Sequence, residues 1–519
     1  MRYLSLIVFT AGAVTLGMEL SAARLLEPAL GTNQLLWATL IGLILFYLAI
    51  GSWLGGRLAD RYPTRAAFDT TLTAAALAVA VVPLISGPVL RFAAIGMAGL
   101  DVGLLAPALV AILLLFSVPG ILLGTTGPWA IRLALADTTH SGAVAGRLYA
   151  LGSAGSILGA FLPALWLIPT FGTRWTFYLL ALSLLLVLAV GAIRHPHRWI
   201  PLGGLVLVTT LLWFQPPGHA IRQTWDASRS GQIIYEDESR YNYIAVRQWN
   251  SERHLELNDG VGIHSVYHPE SSLSLGIWDY FLVAPYFSRS ALDVLDQGTL
   301  VIGLAAGTVP QLLTEFYGPR PITGVELDPQ IIQVGRDYFA MTQPNLTAVA
   351  DDGRRWLTTQ PTTATWGLIA VDAYRPPYIP FHLTTVEFFQ LVADHLAADG
   401  IVAVNVGRTA TNFALVDALT TTMGEVFPAI FVIDEPGPAD TLGNSLVVAS
   451  KQPLALETFA ANLATLPMDE FPPEYVDFVQ RTLAQTRVAA VTPDGPIFTD
   501  DRANVEQIVH RIIVDYLRH

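Results

Sequence analysis

The strongest chemical signal in the chain is an acid that follows a turn of small residues. Gly303, Ala305 and Gly307 alternate through the turn, and Glu326 stands about twenty residues beyond it. Small residues let a backbone approach a ligand closely. A carboxylate closing the next strand can accept hydrogen bonds from both hydroxyls of a ribose. With Ala305 in the middle position the turn alone says little, and a β-α-β unit with an incidental surface acid is the plainer alternative. A second stretch, Asp372-Ala-Tyr374-Arg375-Pro-Pro-Tyr-Ile-Pro-Phe-His382, gathers groups able to bind anions and move protons. Arg375 suits a carboxylate or phosphate, while Tyr374 and His382 could carry a proton. The same residues also fit a rigid proline loop in which Arg375 pairs with a nearby acid. His264 and His268 are minor candidates, because lone histidines of this sort are more often structural.

These groups need a sheet to position them. Leu300–Ile302 reads as a short buried strand, Leu312, Leu313 and Phe316 mark a helix, and Ile322–Val325 a second strand ending on Glu326. Further strands are expected at 348–350, 368–371, 401–406, 430–433 and 445–449. Helical patterns lie between them, which predicts a mostly parallel sheet over residues 291–450. The 372–382 loop follows the fourth strand, at the edge where such sheets place substrates. Ahead of it, residues 215–290 hold a polar connector with Pro216, Pro217 and Gly218, then a small β domain. Its strands are read at 232–236, 241–248, 254–257 and 261–264, with a turn at Asn258-Asp259-Gly260. Residues 451–519 read as a helical extension whose last helix, 503–517, is capped by Asp500 or Asp501.

The first 214 residues differ in kind. They carry eleven arginines against six acids, whereas the remainder carries eighteen basic residues against thirty-six, and the two parts together give the net charge of −13. Seven apolar segments, near 4–22, 35–54, 72–90, 103–123, 148–167, 177–193 and 199–214, make 1–214 a multi-span helical membrane domain, so the lipid bilayer is a partner. The last segment is short. Gly55-Gly-Arg-Leu-Ala-Asp-Arg61 looks like the loop motif of major facilitator transporters, though a positive-inside anchor explains it as well. Gly146, Gly152, Gly155 and Gly159 suit close helix packing. Glu19, inside the first segment, is either a functional acid or the partner of Arg24 or Arg147. The acidic second part argues against nucleic acid as a partner. The absence of cysteine excludes disulfides, thiolate zinc sites and cysteine nucleophiles. No metal is expected.

Taken in order, the small β domain, Gly303-Leu-Ala-Ala-Gly307-Thr308, Val325-Glu-Leu-Asp-Pro329, Asp351-Asp352-Gly353 and Val371-Asp372-Ala-Tyr374 resemble the spermidine synthase family. The chain is most similar to its bacterial branch in which that domain is fused behind a membrane domain. The resemblance covers about residues 231–450 and implies a Rossmann-like fold. It also implies a pocket for S-adenosylmethionine, its decarboxylated form or methylthioadenosine. In that pocket Glu326 holds the ribose and Asp352 with Gly353 reads the adenine edge. Asp351-Asp352-Gly353 can equally cap a helix, and both roles can coexist. The amine side departs from the family. Ala306 stands where an acid is usual. Asp372 matches the first member of an Asp-x-x-Asp pair that supplies the base, but Arg375 occupies the second. Ile277-Trp278-Asp279 replaces a Tyr-Gln-Glu-like triplet. A guanidinium neither serves as a general base nor attracts a polycation.

Three readings follow. The first is a membrane-anchored transferase that moves an aminopropyl or methyl group from an adenosyl ligand to an unidentified acceptor. The second is a binding or assembly subunit that has lost the chemistry, working with other membrane subunits or a second copy of the chain. The third is a transporter with a regulatory domain. On sidedness, Arg2, Arg57, Arg61, Arg65, Arg132, Arg147, Arg194 and Arg198 fall on one side of seven spans, and Arg24, Arg91 and Arg174 on the other. The first set is then cytoplasmic in a plasma-membrane protein, and the soluble domain lies outside. Six spans would place it in the cytosol.

Overall fold

The computed structural model describes residues 2–30, 34–96, 105–135, 141–214, 231–258, 262–374, 379–437, 442–466, 470–490 and 495–517. The chain forms two compact units, Met1–Arg229 with Glu236–Tyr243, and Ser230–Tyr235 with Ile244–His519.

The first unit is helical: α1 (Arg2–Leu30), α2 (Gln34–Arg61), α3 (Arg65–Gly96), α4 (Leu105–Gly124), α5 (Thr126–Ala134), α6 (Ser141–Leu162), a π-helical turn (Pro163–Leu167), α7 (Ile168–Ala192) and α8 (Trp199–Trp213). Each of the seven apolar segments falls on one of them. Five runs among the described residues are long and apolar enough to cross a membrane, the longest being Ser141–Ala192 with 52 residues. That run changes direction at Gly172, where φ is +82°. α8, at 15 residues, is shorter than the roughly 20 a span needs.

Small residues set the packing of α1 on α6. A Cβ at Gly155 would lie 1.9 Å from the Phe9 carbonyl oxygen, and one at Gly159 2.1 Å from that of Ala13. Gly146 has open space around it. At one end of the bundle Asp69 accepts from the Tyr3 hydroxyl at 2.8 Å and pairs with His197 at 2.9 Å, with Arg65 3.5 Å away. At the end opposite Tyr3, Arg24 donates to the carbonyls of Ser239 and Tyr241, at 2.8 and 2.9 Å, and Glu238 accepts from the Thr173 amide at 2.6 Å. Arg24 is therefore not the partner of Glu19. Glu19 is buried and has no hydrogen-bond or ionic partner among the described residues. Arg147 is exposed. In the facilitator-like stretch, Asp60 pairs with Arg132 at 3.2 Å.

The second unit begins with a small antiparallel sheet ordered β1 (Gln232–Glu238), β2 (Tyr243–Trp249), β3 (Glu252–Leu257) and β4 (Ile263–Tyr267). The expected turn at 258–260 falls mostly outside the described residues. The main sheet comes from β5 (Thr299–Ile302), α9 (Thr308–Tyr317), β6 (Ile322–Glu326), α10 (Pro329–Tyr338), β7 (Leu346–Ala350), α11 (Gly353–Thr358), β8 (Trp366–Val371), α12 (Val386–Asp394), β9 (Leu396–Thr409), α13 (Ala414–Gly424), β10 (Ala429–Asp434) and β11 (Leu442–Ser450). The tail adds α14 (Leu456–Ala464), α15 (Pro473–Gln485), β12 (Thr486–Val488) and α16 (Val505–Leu517). The strand order is β12-β10-β11-β9-β8-β5-β6-β7, with β5 to β9 parallel. Helices cover both faces. Val301, Leu368 and Phe431 pack into one core layer, while Leu300, Ile369 and Val432 pack into the other. Burial on both faces explains why these strands are continuously apolar.

The tail corrects two expectations. It is not purely helical, because β12 pairs with β10 in antiparallel register. Asp500 does not cap the last helix, which begins at Val505. Its carboxylate is instead drawn to Arg354 through two bonds of 2.6 Å, since a bidentate pair outweighs a cap.

Candidate functional site

The site lies along the edge of the main sheet where the parallel strands end. β5 stops at Ile302, and the chain enters the left-handed region three times, at Gly303 (φ +88°), Ala305 (φ +47°) and Gly307 (φ +91°). A Cβ at Gly303 would sit 2.5 Å from the Asp372 carbonyl oxygen, and one at Gly307 2.6 Å from Met341. The turn thus lies directly against the backbone that leaves β8. Ala305 carries the strain of a left-handed residue with a side chain, on the order of 1 kcal/mol. Its N–H is fixed by Glu326.

Glu326 accepts from the Ala305 amide at 2.8 Å and from the Asp328 amide at 3.1 Å, one on each oxygen. Burial pushes its carboxyl up to about 7, against the lowering effect of the two amide bonds. Each oxygen keeps a lone pair, which is what a pair of ribose hydroxyls requires. At the end of β7, Asp352 caps α11 by accepting from the Arg355 amide at 2.9 Å, and its other oxygen lies 2.9 Å from His382 Nε2. The His382 bond holds the Asp352 carboxyl below the usual range, with burial opposing. A Cβ at Gly353 would meet Ile302 at 2.4 Å, so this helix start can sit close only with glycine.

Asp372 follows β8 on the other side of the turn. One oxygen accepts from Trp278 Nε1 at 2.9 Å and the other from Asn405 Nδ2 at 2.8 Å. Burial lifts its carboxyl to about 7, and the two bonds pull the other way. It faces a cavity of about 410 Å³ whose lining includes Trp278, Tyr374, Asn405, Arg408, Glu435 and His264. Tyr374 is locked: its hydroxyl donates to the Asn405 carbonyl at 3.2 Å and accepts from the Gly407 amide at 2.5 Å. Burial, then Asp372, push its pKa upward, so it is a poor proton carrier.

The structure brings Gly303, Ala305, Gly307 and Glu326 together, sets Asp372 against the same turn, and places Asp352 with His382. It does not bring His382 to the cavity lining. Arg375 lies outside the described residues. Ala306 does not face the cavity. It is buried among Ile244, Val246, Leu255, Ile331 and Phe339. Asp279 turns inward to hold the Ser274 and Leu275 amides at 2.8 and 2.9 Å, whereas Ile277 and Trp278 beside it line the cavity. His264 reaches the cavity, and His268 stands 3.9 Å from Glu252. Sequence reasoning missed Trp278 and Asn405 as the partners of Asp372. The available hint for Asn405 was a lone amide inside the apolar run 401–406. Among the described residues no group of acids and histidines is arranged to hold a metal.

A Rossmann-type α/β domain with a buried acid at the end of its second parallel strand and another after the fourth defines the class. Residues 293–435 match the family model of the spermine/spermidine synthase domain. The chain is 29% identical over 310 residues to a probable polyamine aminopropyl transferase of Bifidobacterium longum, covering 54% of this chain and 64% of that protein. The chain therefore spans less than two thirds of that relative. Polyamine aminopropyltransferase 2 of Ralstonia nicotianae is 24% identical over 423 residues, 77% of this chain and 78% of the relative. A probable spermidine synthase from Corynebacterium glutamicum, known from a crystal structure, superposes with a TM-score of 0.39 at 19% identity, over 53% of this chain and 98% of that one.

Proposed function

We propose that the chain is a membrane-anchored, spermidine synthase-like transferase that takes an S-adenosyl thioether ligand and passes an alkyl group to an amine. The observation that carries this is the Glu326 carboxylate bonded to the Ala305 amide in the same turn whose Gly303 packs on the Asp372 backbone, with the Asp372 carboxylate held by Trp278 and Asn405. The residues fit such a ligand. Glu326 has lone pairs for ribose hydroxyls, Asp352 stands at a strand end for an adenine edge, and the backbone between them admits no added Cβ at Gly303 or Gly353. When bound, the ligand supplies the transferable group, aminopropyl or methyl. The chain's own part is to bind, orient and remove a proton. Asp372, poised near neutrality, accepts the proton that an ammonium acceptor must lose before its nitrogen can attack. The five long apolar runs supply the anchor. The binding-subunit reading is favoured by one sequence observation, the arginine at 375 in place of the second acid.

The test is release of methylthioadenosine from decarboxylated S-adenosylmethionine by the full-length protein in the presence of an amine panel. Turnover that falls by ~10²–10⁴ in Asp372→Asn supports the transferase. Retained ligand binding without turnover on any amine establishes the binding subunit instead.

A further inference from the structure

The ring of His382 meets the acid at the start of α11, and the backbone that carries the ring is pinned. Ile379 and Leu383, on either side of it, are buried in the same core layer as Ile302 and Val371. The His382 carbonyl accepts from Arg354 Nη1 at 2.9 Å. Arg354 is gripped in turn by Asp500 through two bonds of 2.6 Å. Asp500 also accepts from the Thr385 hydroxyl at 2.8 Å, and its amide donates to Glu387 at 3.0 Å. Asp500 belongs to the tail, beyond the residues that match the family model. A segment outside that domain thus fixes the backbone of His382 through Arg354.

The ring stands where the edge of a nucleobase would be read. β6 and β7 pair in parallel with Glu326 opposite Ala350, and the Asp351 amide donates to the Glu326 carbonyl at 2.9 Å. Asp352 therefore follows the ribose acid on the adjoining strand end. One of its oxygens accepts from the Arg355 amide at 2.9 Å, and the other lies 2.9 Å from His382 Nε2. A carboxylate only accepts, so the proton of this second bond sits on Nε2. The same bond holds the Asp352 carboxyl below the usual range and keeps it ionised at neutral pH. His382 is 31% exposed and Asp352 32%, so a ligand can reach both. Without the ring, a carboxylate this open to water would keep its capping bond while its second oxygen turned freely.

We infer that His382 is a positioning residue for a 6-aminopurine: it holds the Asp352 carboxylate as an acceptor for the exocyclic amine of the base, and the Arg354–Asp500 pair of the tail holds His382 in place. This rests on the adenosyl reading above. An acceptor set in advance loses less freedom when the base arrives. It also discriminates, because an ionised carboxylate accepts from a 6-amino group and repels the oxygen of a 6-oxo group.

Calorimetry on the full-length protein in lipid nanodiscs tests this with two probes, methylthioadenosine and methylthioinosine, which differ only at that edge of the base. The wild type should bind methylthioadenosine at least about 30-fold more tightly. His382→Leu should narrow that ratio by about tenfold, through weaker binding of the amino compound alone. His382→Gln, whose amide nitrogen can donate from nearly the position of Nε2, should restore most of it. Asp500→Ala should narrow the ratio in the same direction and by less. A role in folding alone would weaken both ligands together and would not separate Gln from Leu. Equal losses for the two ligands, a ratio unchanged in His382→Leu, or a Gln variant no better than Leu overturns the inference. Binding of both ligands by the wild type without discrimination overturns it too and leaves the adenosyl pocket standing, whereas no binding of either by the wild type overturns the adenosyl reading itself.

Discussion

Replacing Asp372 by Asn should make the protein more stable at alkaline pH while removing its proton acceptor. The side chain's ordinary value of 3.8 is lifted to about 7 by burial. At ~1.4 kcal/mol per tenfold change, holding it charged in the folded state costs on the order of 4 kcal/mol. Below pH 4 both folded and unfolded chains carry the proton, and there is no penalty. As pH rises from 4 to 7 the unfolded chain gives up its proton first, so the wild type loses stability across that window and reaches the full cost above 7. Asparagine cannot ionise and escapes this dependence. It must still satisfy two donors, and Asn405 can help. The Asn405 Oδ1 is buried without a partner, so turning its amide over would offer an acceptor to the new NH₂ group. Allowing ~1 kcal/mol for an imperfect exchange, the variant should gain roughly 2–3 kcal/mol at pH 8 and nearly nothing at pH 4. For a unit of this size that is a rise in Tm of about 5–10 °C at the higher pH. Thermal unfolding of the full-length protein, followed by tryptophan fluorescence at several pH values, reads the difference. A variant that is less stable at pH 8 than at pH 4, relative to wild type, would refute the picture of a strained buried acid.

The pH profile of turnover should follow the same group: kcat/KM with an amine acceptor rises as pH passes through about 7 and is flat in Asp372→Asn, whereas a profile centred near 4 would assign the proton elsewhere. Ala306→Asp, which restores an acid common in the family, should cost at least about 3 kcal/mol because position 306 is enclosed by Ile244, Val246 and Phe339; chemical denaturation measures this, and a neutral result would show that the side chain escapes to a polar surface. A reporter pair fused after His519 should show phosphatase activity and no cytosolic fluorescence. A cytosolic signal would make α8 an interfacial helix.

The turn at 303–307 and the placement of Glu326 were legible because local sequence rules act there. A positive φ at Gly303 and Gly307 needs small residues, and an acid ending a short apolar strand can be placed by counting. The environment of Asp372 was not legible. Trp278 lies 94 positions away and Asn405 33, and only the three-dimensional packing decides which donors meet a buried acid. His382 was grouped with Asp372 by proximity in sequence, but its ring nitrogen lies 2.9 Å from Asp352 instead. Asp500 has the spacing of a helix cap, yet Arg354, at the start of α11, competes for it more strongly. β12 escaped notice because three residues give too short an alternation to read, and it exists only because β10 offers an open edge. The apolar segments of the first unit were the easiest part, since a long uncharged run leaves little choice but a helix.

The central claim is that the turn at 303–307 and Glu326 form an adenosyl pocket. Calorimetry of the full-length protein with methylthioadenosine, comparing wild type with Glu326→Gln, tests it directly. The substitution removes a charged acceptor while keeping the size of the side chain, and a charge-assisted bond of this kind contributes about 1.5–3 kcal/mol. The account predicts binding by the wild type and a loss of roughly 10- to 100-fold in the variant. Equal affinity in the two proteins, or no binding by the wild type, would contradict it.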